Sequence, residues 1–308
     1  MTKIFIDGSA GTTGLRIYER LESRKDIELI RLSEELRKDT TARKTAINSA
    51  DIAFLCLPDK AAVEAVSLVE NDNTVIIDTS TAHRTNPDWA YGFPELSAER
   101  EQKIASSKRI AVPGCHASGF ISLVFPLIEA GILDEDALLT CFSVTGYSGG
   151  GKKMIAEYEG EDRDTLLSSP RQYGIAQTHK HLPEMTAVCG LKNSPLFSPV
   201  VADFYSGMTV TVPLFKSQIN GTIDDIKKVY KEKYNTSVVR YKDEFDEGGF
   251  VSANRLSGKD SMEISVSGNE DRILLISRYD NLGKGASGAA VECMNIVMGV
   301  DKTTGLEL

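Results

Sequence analysis

The sequence predicts an α/β protein: a Rossmann-type, doubly wound parallel sheet followed by a second α+β domain with a mostly antiparallel sheet. Three observations carry this expectation. Apolar strand-like runs alternate with helical stretches through the first third of the chain. The first of those runs leads into a glycine-rich turn, Gly8-Ser9-Ala10-Gly11-Thr12-Thr13-Gly14, and then a helix. From residue 138 onward come strand-like segments with turn residues between them, several close enough in sequence for antiparallel pairing.

In order, KIFIDG (3–8) predicts a strand and GTTGLRIYERLES (11–23) a helix with apolar positions near helical spacing. IELIRL (27–32) predicts the next strand. DIAFLCLP (51–58) is apolar throughout, as expected of a central strand in a parallel sheet. KAAVEAVSLVE (60–70) predicts a helix, TVIIDTS (74–80) and RIAVPG (109–114) strands, and ISLVFPLIEAGIL after Cys115 another helix. LLTCFSVTG (138–146), SPVVADFYSGMTVTVPLF (198–215), SMEISVSGN (261–269) and RILLISRYD (272–280) supply the second sheet. The tail, NLGKGASGAAVECMNIVMGV, returns to helix and is expected to pack on the first domain. The expected division is residues 1–114 plus 284–308 for the nucleotide domain and 115–283 for the catalytic, substrate and oligomerisation domain.

Bulk properties narrow the function. A chain of 308 residues is long enough for about two domains. The net charge of −9 and the lack of a basic run argue against nucleic acid as a partner. No apolar run approaches the ~18–20 residues of a membrane span, and no leader-like segment precedes the first strand, so a cytoplasmic protein without a membrane partner is expected. Five cysteines without CxxC spacing point to free thiols in a reducing compartment. Cys56 and Cys293 sit in apolar runs and are expected to be buried structural residues.

The turn Gly8–Gly14 is a variant of the dinucleotide fingerprint. Its glycines permit a tight turn and close backbone approach to a diphosphate, and the helix start supplies N–H donors and partial positive charge. Gly8, Ser9, Gly11, Thr12, Thr13 and Gly14 are therefore candidate cofactor residues. At the end of the second strand, Ser33 stands where a carboxylate would hold ribose hydroxyls. Arg31 and Arg37 flank it and suit a 2′-phosphate, so NADP(H) is expected over NAD, although Glu34 is an alternative ribose ligand.

VPGCHASGF (112–120) places Cys115 on a tight turn after a parallel strand, at the start of a helix. A helix N-terminus lowers a thiol pKa and offers N–H donors to an oxyanion. A thiolate nucleophile works with an imidazole. The chain has four histidines. His116 adjoins the cysteine and is expected to point away from it. His179 and His181, in THKHLPEM, would share a face if that stretch is extended, with Pro183 at a helix start and Glu184 near enough to orient a ring. Two histidines without further ligands make a poor zinc site, so no metal is expected. A nucleotide domain joined to a poised cysteine points to aldehyde–acyl interconversion through a thiohemiacetal and a thioester.

The ordered set of GSAGTTG, YGFPEL, VPGCHASGF, HKHLPE and NLGKGASGAAVECMNIVMG resembles N-acetyl-γ-glutamyl-phosphate reductases, relatives of the aspartate-semialdehyde dehydrogenases, over residues 8 to 299. DTSTAHRT and Cys-His-Ala-Ser resemble the shorter subtype of that family rather than the common form. The resemblance implies NADPH-dependent reduction of N-acetyl-γ-glutamyl phosphate to the semialdehyde and phosphate, in arginine biosynthesis. It implies Cys115 as nucleophile, His179 or His181 as acid/base with the choice open, and Glu184 as the orienting carboxylate. It also implies Asn281, Gly283 and Gly285 near the nicotinamide, with helix–sheet packing by small residues as the alternative. Arg84, Arg171 and the amides around Ser148 and Gly149 are candidate anion ligands. A homo-oligomer, dimer or tetramer, is expected. The rival expectations are an aspartate-semialdehyde-type dehydrogenase with the same thioester chemistry, a non-catalytic NADP-binding redox sensor, and a cysteine hydrolase.

Overall fold

The alternation of apolar runs and helices in the first third builds a six-stranded parallel sheet. A computed structural model describes residues 1–308. The chain divides into two units, Met1–Gly114 with Ala286–Leu306, and Cys115–Gly285 with Glu307–Leu308.

In the first unit the order is β1 (Thr2–Asp7), α1 (Thr12–Leu21), β2 (Ile27–Ile30), α2 (Thr40–Ser49), β3 (Ile52–Leu55), α3 (Asp59–Ser67), β4 (Val75–Asp78), β5 (Ala90–Tyr91), α4 (Ala98–Ser106) and β6 (Arg109–Ala111). The strands lie in the order β2-β1-β3-β4-β6-β5, all pairings parallel. This is the doubly wound arrangement, with the chain crossing from β1 outward in both directions. Ile52, Phe54, Val75 and Ile77 fill one side and Ala53, Leu55 and Ile76 the other, which explains why those strands are apolar throughout. Helices α2 and α4 escape sequence reading because both are mostly polar. The first buries only Arg43, Ala46 and Ile47, and the second only Ile104, too few to mark a helical period. Their N-caps, Asp39 and Ser97, accept from Ala42 N and Arg100 N.

The second unit contains α5 (Cys115–Glu129), β7 (Thr140–Gly146), α6 (Gly151–Glu159), β8 (Arg171–Gln172), α7 (Leu182–Cys189), β9 (Leu196–Ala202), β10 (Met208–Phe215), α8 (Ile223–Lys233), β11 (Val239–Tyr241), β12 (Met262–Gly268) and β13 (Arg272–Tyr279). Its sheet runs β11-β12-β13-β10-β7-β9-β8. Four of the six pairings are antiparallel, while β7–β9 and β11–β12 are parallel. The run 198–215 is two strands, broken at a turn where Gly207 has φ +113°. Helix α9 (Gly288–Met298) belongs to the first unit and buries Ala289, Val291, Cys293 and Met294 in its core.

Proline inside α5 would normally leave a carbonyl unmatched one turn back. Pro126 does this to Ser122, and the Tyr234 hydroxyl donates to that carbonyl at 2.7 Å. The Tyr230 hydroxyl donates to the next carbonyl, Leu123 O, at 2.5 Å. Two tyrosines at the end of α8 thus satisfy the helix that carries the cysteine.

Candidate active site

Cys115 is the first residue of α5 and is partly accessible. The other thiols are set apart from it: Cys141, Cys189 and Cys293 are buried, and burial pushes the Cys56 thiol up to about 12. The turn that carries Cys115 is pinned by Tyr279 at the end of β13. Its hydroxyl donates to Cys115 O at 2.5 Å and accepts from Gly119 N at 3.0 Å. Gly119 makes this possible, because a Cβ there would lie 2.5 Å from the Tyr279 oxygen. Gly285 closes over Cys115 from another side: a Cβ on it would meet the Cys115 Cβ at 3.1 Å and Asp280 O at 3.0 Å.

Three histidines gather in the same unit. The ring centres of His179 and His181 are 4.7 Å apart, and His116 lies 5.7 Å from the first and 5.6 Å from the second. The HKH stretch is not extended as expected. His181 adopts helical φ/ψ as the N-cap of α7, and Pro183 is the second helical residue, so a turn brings the rings together rather than a shared strand face. The turn also lets His181 N donate to His179 Nδ1 at 3.2 Å. A backbone N–H can only donate, so Nδ1 is the acceptor and the neutral His179 ring carries its proton on Nε2. Burial first, then Lys180, pulls His179 down to about 4, so the ring is neutral near pH 7. Glu184 follows in the first turn of α7 and is buried.

His116 points away from solvent, into the unit's interior. Its Nδ1 lies 2.7 Å from Ser143 Oγ and its Nε2 2.6 Å from the Tyr173 hydroxyl. Burial, with His179 and Lys180 adding to it, lowers His116 to about 3, so it is neutral and bridges two hydroxyls. Tyr173 in turn is pushed above the usual phenol range by burial and by the Cys115 charge nearby. Sequence reading missed Tyr173, Ser143 and the inclusion of His116. Only the spacing of Tyr173, six residues before His179, was available, and spacing across an irregular segment carries no geometry.

The other substrate and nicotinamide candidates occupy defined positions. Asn281 is buried, accepts from Gly207 N at 2.9 Å and donates to Ser148 Oγ at 3.0 Å. Gly283 packs so closely on Lys259 that a Cβ would clash with its carbonyl oxygen. The amides of Gly146, Tyr147 and Ser148 donate to Gly207 O, Phe204 O and Tyr205 O, so they are committed to the fold rather than turned toward an anion. Gly149 lies over the Asn281 amide. Arg171 is exposed on β8. Arg84, in the first unit, donates to Val112 O at 2.8 Å and Thr79 O at 2.9 Å, which ties it to the strand ends. His83 also has a local role there, 2.7 Å from Asp78 and stacked on Trp89.

In the first unit a cavity of about 740 Å³ is lined by Asp7, Gly8, Ser9, Ala10, Gly11, Tyr18, Arg31, Glu34, Arg37, Lys38 and Arg43, among others. Gly8 has φ +87°, and a Cβ there would clash with Cys56 O; at Gly14 it would clash with Gly8 O. These two close approaches draw α1 down onto the strand ends. No side chain caps α1 at Gly11, which leaves the helix start open to an anion. Thr12 and Thr13 form its first turn. Ser33 is exposed beyond β2, and its hydroxyl holds the Glu35 carboxyl below the usual range. Arg37 pairs with Glu34 at 2.9 Å in a largely exposed contact that a ligand can displace at little cost. The open helix start and nearby cations fit a dinucleotide diphosphate. No helix is long and apolar enough to cross a membrane. No group of three or more His, Cys, Asp or Glu side chains is placed to hold a metal ion.

Comparison with known proteins agrees with this architecture. Residues 3–104 match the family described as semialdehyde dehydrogenase, NAD binding domain, and residues 115–281 the semialdehyde dehydrogenase, dimerisation domain. N-acetyl-gamma-glutamyl-phosphate reductases from Brucella ovis and Brucella canis are each 45% identical over 306 residues, covering 96% of this chain and 99% of theirs. Among solved structures, aspartate semialdehyde dehydrogenase II from Vibrio cholerae has a TM-score of 0.70 at 15% identity, covering 97% of this chain and 98% of that one. The Candida albicans enzyme, solved with NADP, has a TM-score of 0.67 at 14% identity, covering 97% and 98%. With both domains matched and reductases aligned along nearly their whole length, the chain belongs to the N-acetyl-γ-glutamyl-phosphate reductase family, built from semialdehyde dehydrogenase domains.

Proposed function

We propose that this chain reduces N-acetyl-γ-glutamyl phosphate to N-acetylglutamate semialdehyde and phosphate, through a thioester on Cys115, as a step toward arginine. The observation that carries the reading is an accessible cysteine opening α5 in the same unit as a cluster of histidines, in a chain 45% identical to reductases of that name. Cys115 attacks the γ-acyl carbon, the C–O bond to phosphate breaks, and phosphate leaves with the bonding pair. A bound nicotinamide supplies the hydride that reduces the thioester. Hydride addition leaves an oxyanion on the former acyl carbon; it re-forms the carbonyl, the C–S bond breaks, the departing thiolate takes back the proton held by His181, and the aldehyde leaves.

His181 takes the thiol proton, because the acceptor nitrogen of His179 is already filled by the His181 backbone N–H. His179 offers its Nε2–H to the oxyanion, a role that suits a ring held neutral. Glu184, buried three residues after His181, orients that ring. Arg171, exposed on β8, is the candidate cation for a substrate carboxylate or phosphate.

The cofactor is NADP(H). Arg31, Arg37 and Lys38 line the cavity at the end of β2, and three cations there favour a 2′-phosphate over bare ribose hydroxyls. The protein acts as a homo-oligomer through the outer face of the second sheet. Phe142 and Leu274 are 44% and 40% exposed and share that face with Thr211 and Pro213, their register partners. The reaction is cytoplasmic.

The test is NADPH formation from N-acetylglutamate semialdehyde, with and without phosphate, beside aspartate semialdehyde and with NAD⁺ replacing NADP⁺. Phosphate-dependent turnover of the acetylated substrate with NADP⁺ is expected. Preference for aspartate semialdehyde would move the substrate assignment, and no turnover of either would favour a non-catalytic nucleotide-binding role.

A further inference from the structure

We propose that Arg43 makes the glycine-rich turn fit for a dinucleotide diphosphate by cancelling the Asp7 carboxylate that β1 delivers to it. The inference rests on the reading that this turn holds a dinucleotide.

Asp7 ends β1, directly before Gly8, and is 3% exposed. It lines the same cavity as Gly8, Ser9 and Gly11. A carboxylate at that place has the same sign as the diphosphate the turn would receive, and burial strengthens the repulsion because little water screens it. The chain answers with a second buried charge. Arg43, from α2, lines the cavity and is 7% exposed. Its Nε lies 3.0 and 3.3 Å from the two Asp7 oxygens, and a terminal nitrogen lies 2.9 Å from Oδ2. Nε donates to both Asp7 oxygens while the terminal nitrogen adds its charge at ion-pair distance without a hydrogen bond, and together they neutralise the carboxylate.

Other groups near the pair do not replace it. Glu64 of α3 reaches Arg43 at 3.4 Å but is half exposed and adds negative charge. The Cys56 thiol, just past the end of β3, is pushed up to about 12 and stays neutral. Arg31, Arg37 and Lys38 line the cavity from the β2 side, whereas the ion pair and side-chain hydrogen bonds of Asp7 are with Arg43. Burial raises the Asp7 carboxyl while Arg43 pulls it back. Without the guanidinium, Asp7 is either an uncompensated buried anion or a protonated acid, according to pH. Arg43 is therefore a positioning residue that acts on the ligand through Asp7.

The test is NADP⁺ affinity by calorimetry on the full chain, across about pH 6 to 8, for wild type, Arg43→Gln and the double variant Asp7→Asn/Arg43→Gln. Arg43→Gln is expected to weaken binding ~10- to 100-fold at the alkaline end and to recover as the pH falls and Asp7 takes a proton. The double variant is expected to bind within about threefold of wild type at every pH, since it removes both charges. A simple clasp between α2 and β1 would give neither the pH-dependent recovery nor the rescue. Wild-type affinity in Arg43→Gln, or a double variant no better than Arg43→Gln, overturns the proposal while leaving the dinucleotide reading intact. If Arg43→Gln does not fold, a folded double variant with wild-type affinity supports the proposal, and a folded one without affinity overturns it. If wild type binds neither NADP⁺ nor NAD⁺, the dinucleotide reading falls and this proposal with it.

Discussion

The backbone N–H of His181 donates to Nδ1 of His179 at 3.2 Å, and this one contact makes inequivalent two histidines that the sequence leaves equivalent. With Nδ1 occupied, His179 is a donor through Nε2, and the proposed mechanism therefore gives the role of base to His181. His181→Gln is expected to lower kcat by ~10²–10⁴ and to remove one limb of the kcat pH profile. His179→Gln keeps an N–H donor and is expected to lose only about tenfold, while His179→Ala loses more. Steady-state kinetics across pH decide this, and equal losses in both glutamine variants would return the assignment to open.

Acid should weaken the fold through two imidazoles. Burial lowers His116 to about 3 and His179 to about 4, both below the ordinary 6.5 of the unfolded chain. The unfolded state then binds more protons in that interval, so the stabilisation is complete above about pH 6.5 and is lost as the pH falls. Each ring adds a slope of at most ~1.4 kcal/mol per pH unit. Urea unfolding at several pH values measures it, and His116→Gln should flatten the curve toward its acid end. A slope unchanged in that variant would contradict the burial account.

Gly285 packs against Cys115, the proposed nucleophile. Because a Cβ there would meet the Cys115 Cβ at 3.1 Å, Gly285→Ala is expected to shift the thiol by a few tenths of an ångström. We expect kcat to fall by about tenfold or more with a modest change in melting temperature. Parallel kinetics and thermal melts separate this from general destabilisation, and wild-type kcat would show that the contact is not felt at the sulfur.

Gly8 has no such tolerance. Its φ of +87° and the clash a Cβ would make with Cys56 O leave no room for alanine. Gly8→Ala should lower the melting temperature and weaken NADP⁺ binding at least ~10-fold. Gly131→Ala, where a Cβ meets nothing within 4 Å, should leave binding unchanged. Calorimetric titration of both variants checks the contrast, and intact binding in Gly8→Ala would contradict it.

Much of this architecture is visible in the sequence, for reasons particular residues make clear. Ile52 to Leu55 are buried on both faces of a parallel sheet, so their run is apolar throughout and unmistakable. Gly8 and Gly14 are required by backbone contacts, so the turn is written in residue type. Cys115 is legible because strand, turn and helix occur in immediate succession. The histidine cluster is legible only in part. His179 and His181 are neighbours in the chain, but their contact depends on a turn rather than the extended stretch expected, and His116 joins them through packing that no local pattern encodes. Tyr173 and Arg43 reach their partners from irregular or polar segments, where side-chain direction follows from tertiary contacts alone. The same holds for the amides of Gly146 to Ser148: a glycine-rich turn resembles an anion nest until the partner carbonyls at 204–207 are seen to occupy it.

The central claim is that Cys115 carries the acyl group. The most direct measurement is the intact mass of the protein mixed with N-acetyl-γ-glutamyl phosphate in the absence of NADPH, followed by peptide mapping. The account predicts one N-acetylglutamyl adduct per chain, on Cys115, discharged by NADPH and absent from Cys115→Ala. No adduct in wild type under conditions where the enzyme turns over, or an adduct that persists in Cys115→Ala, would contradict it.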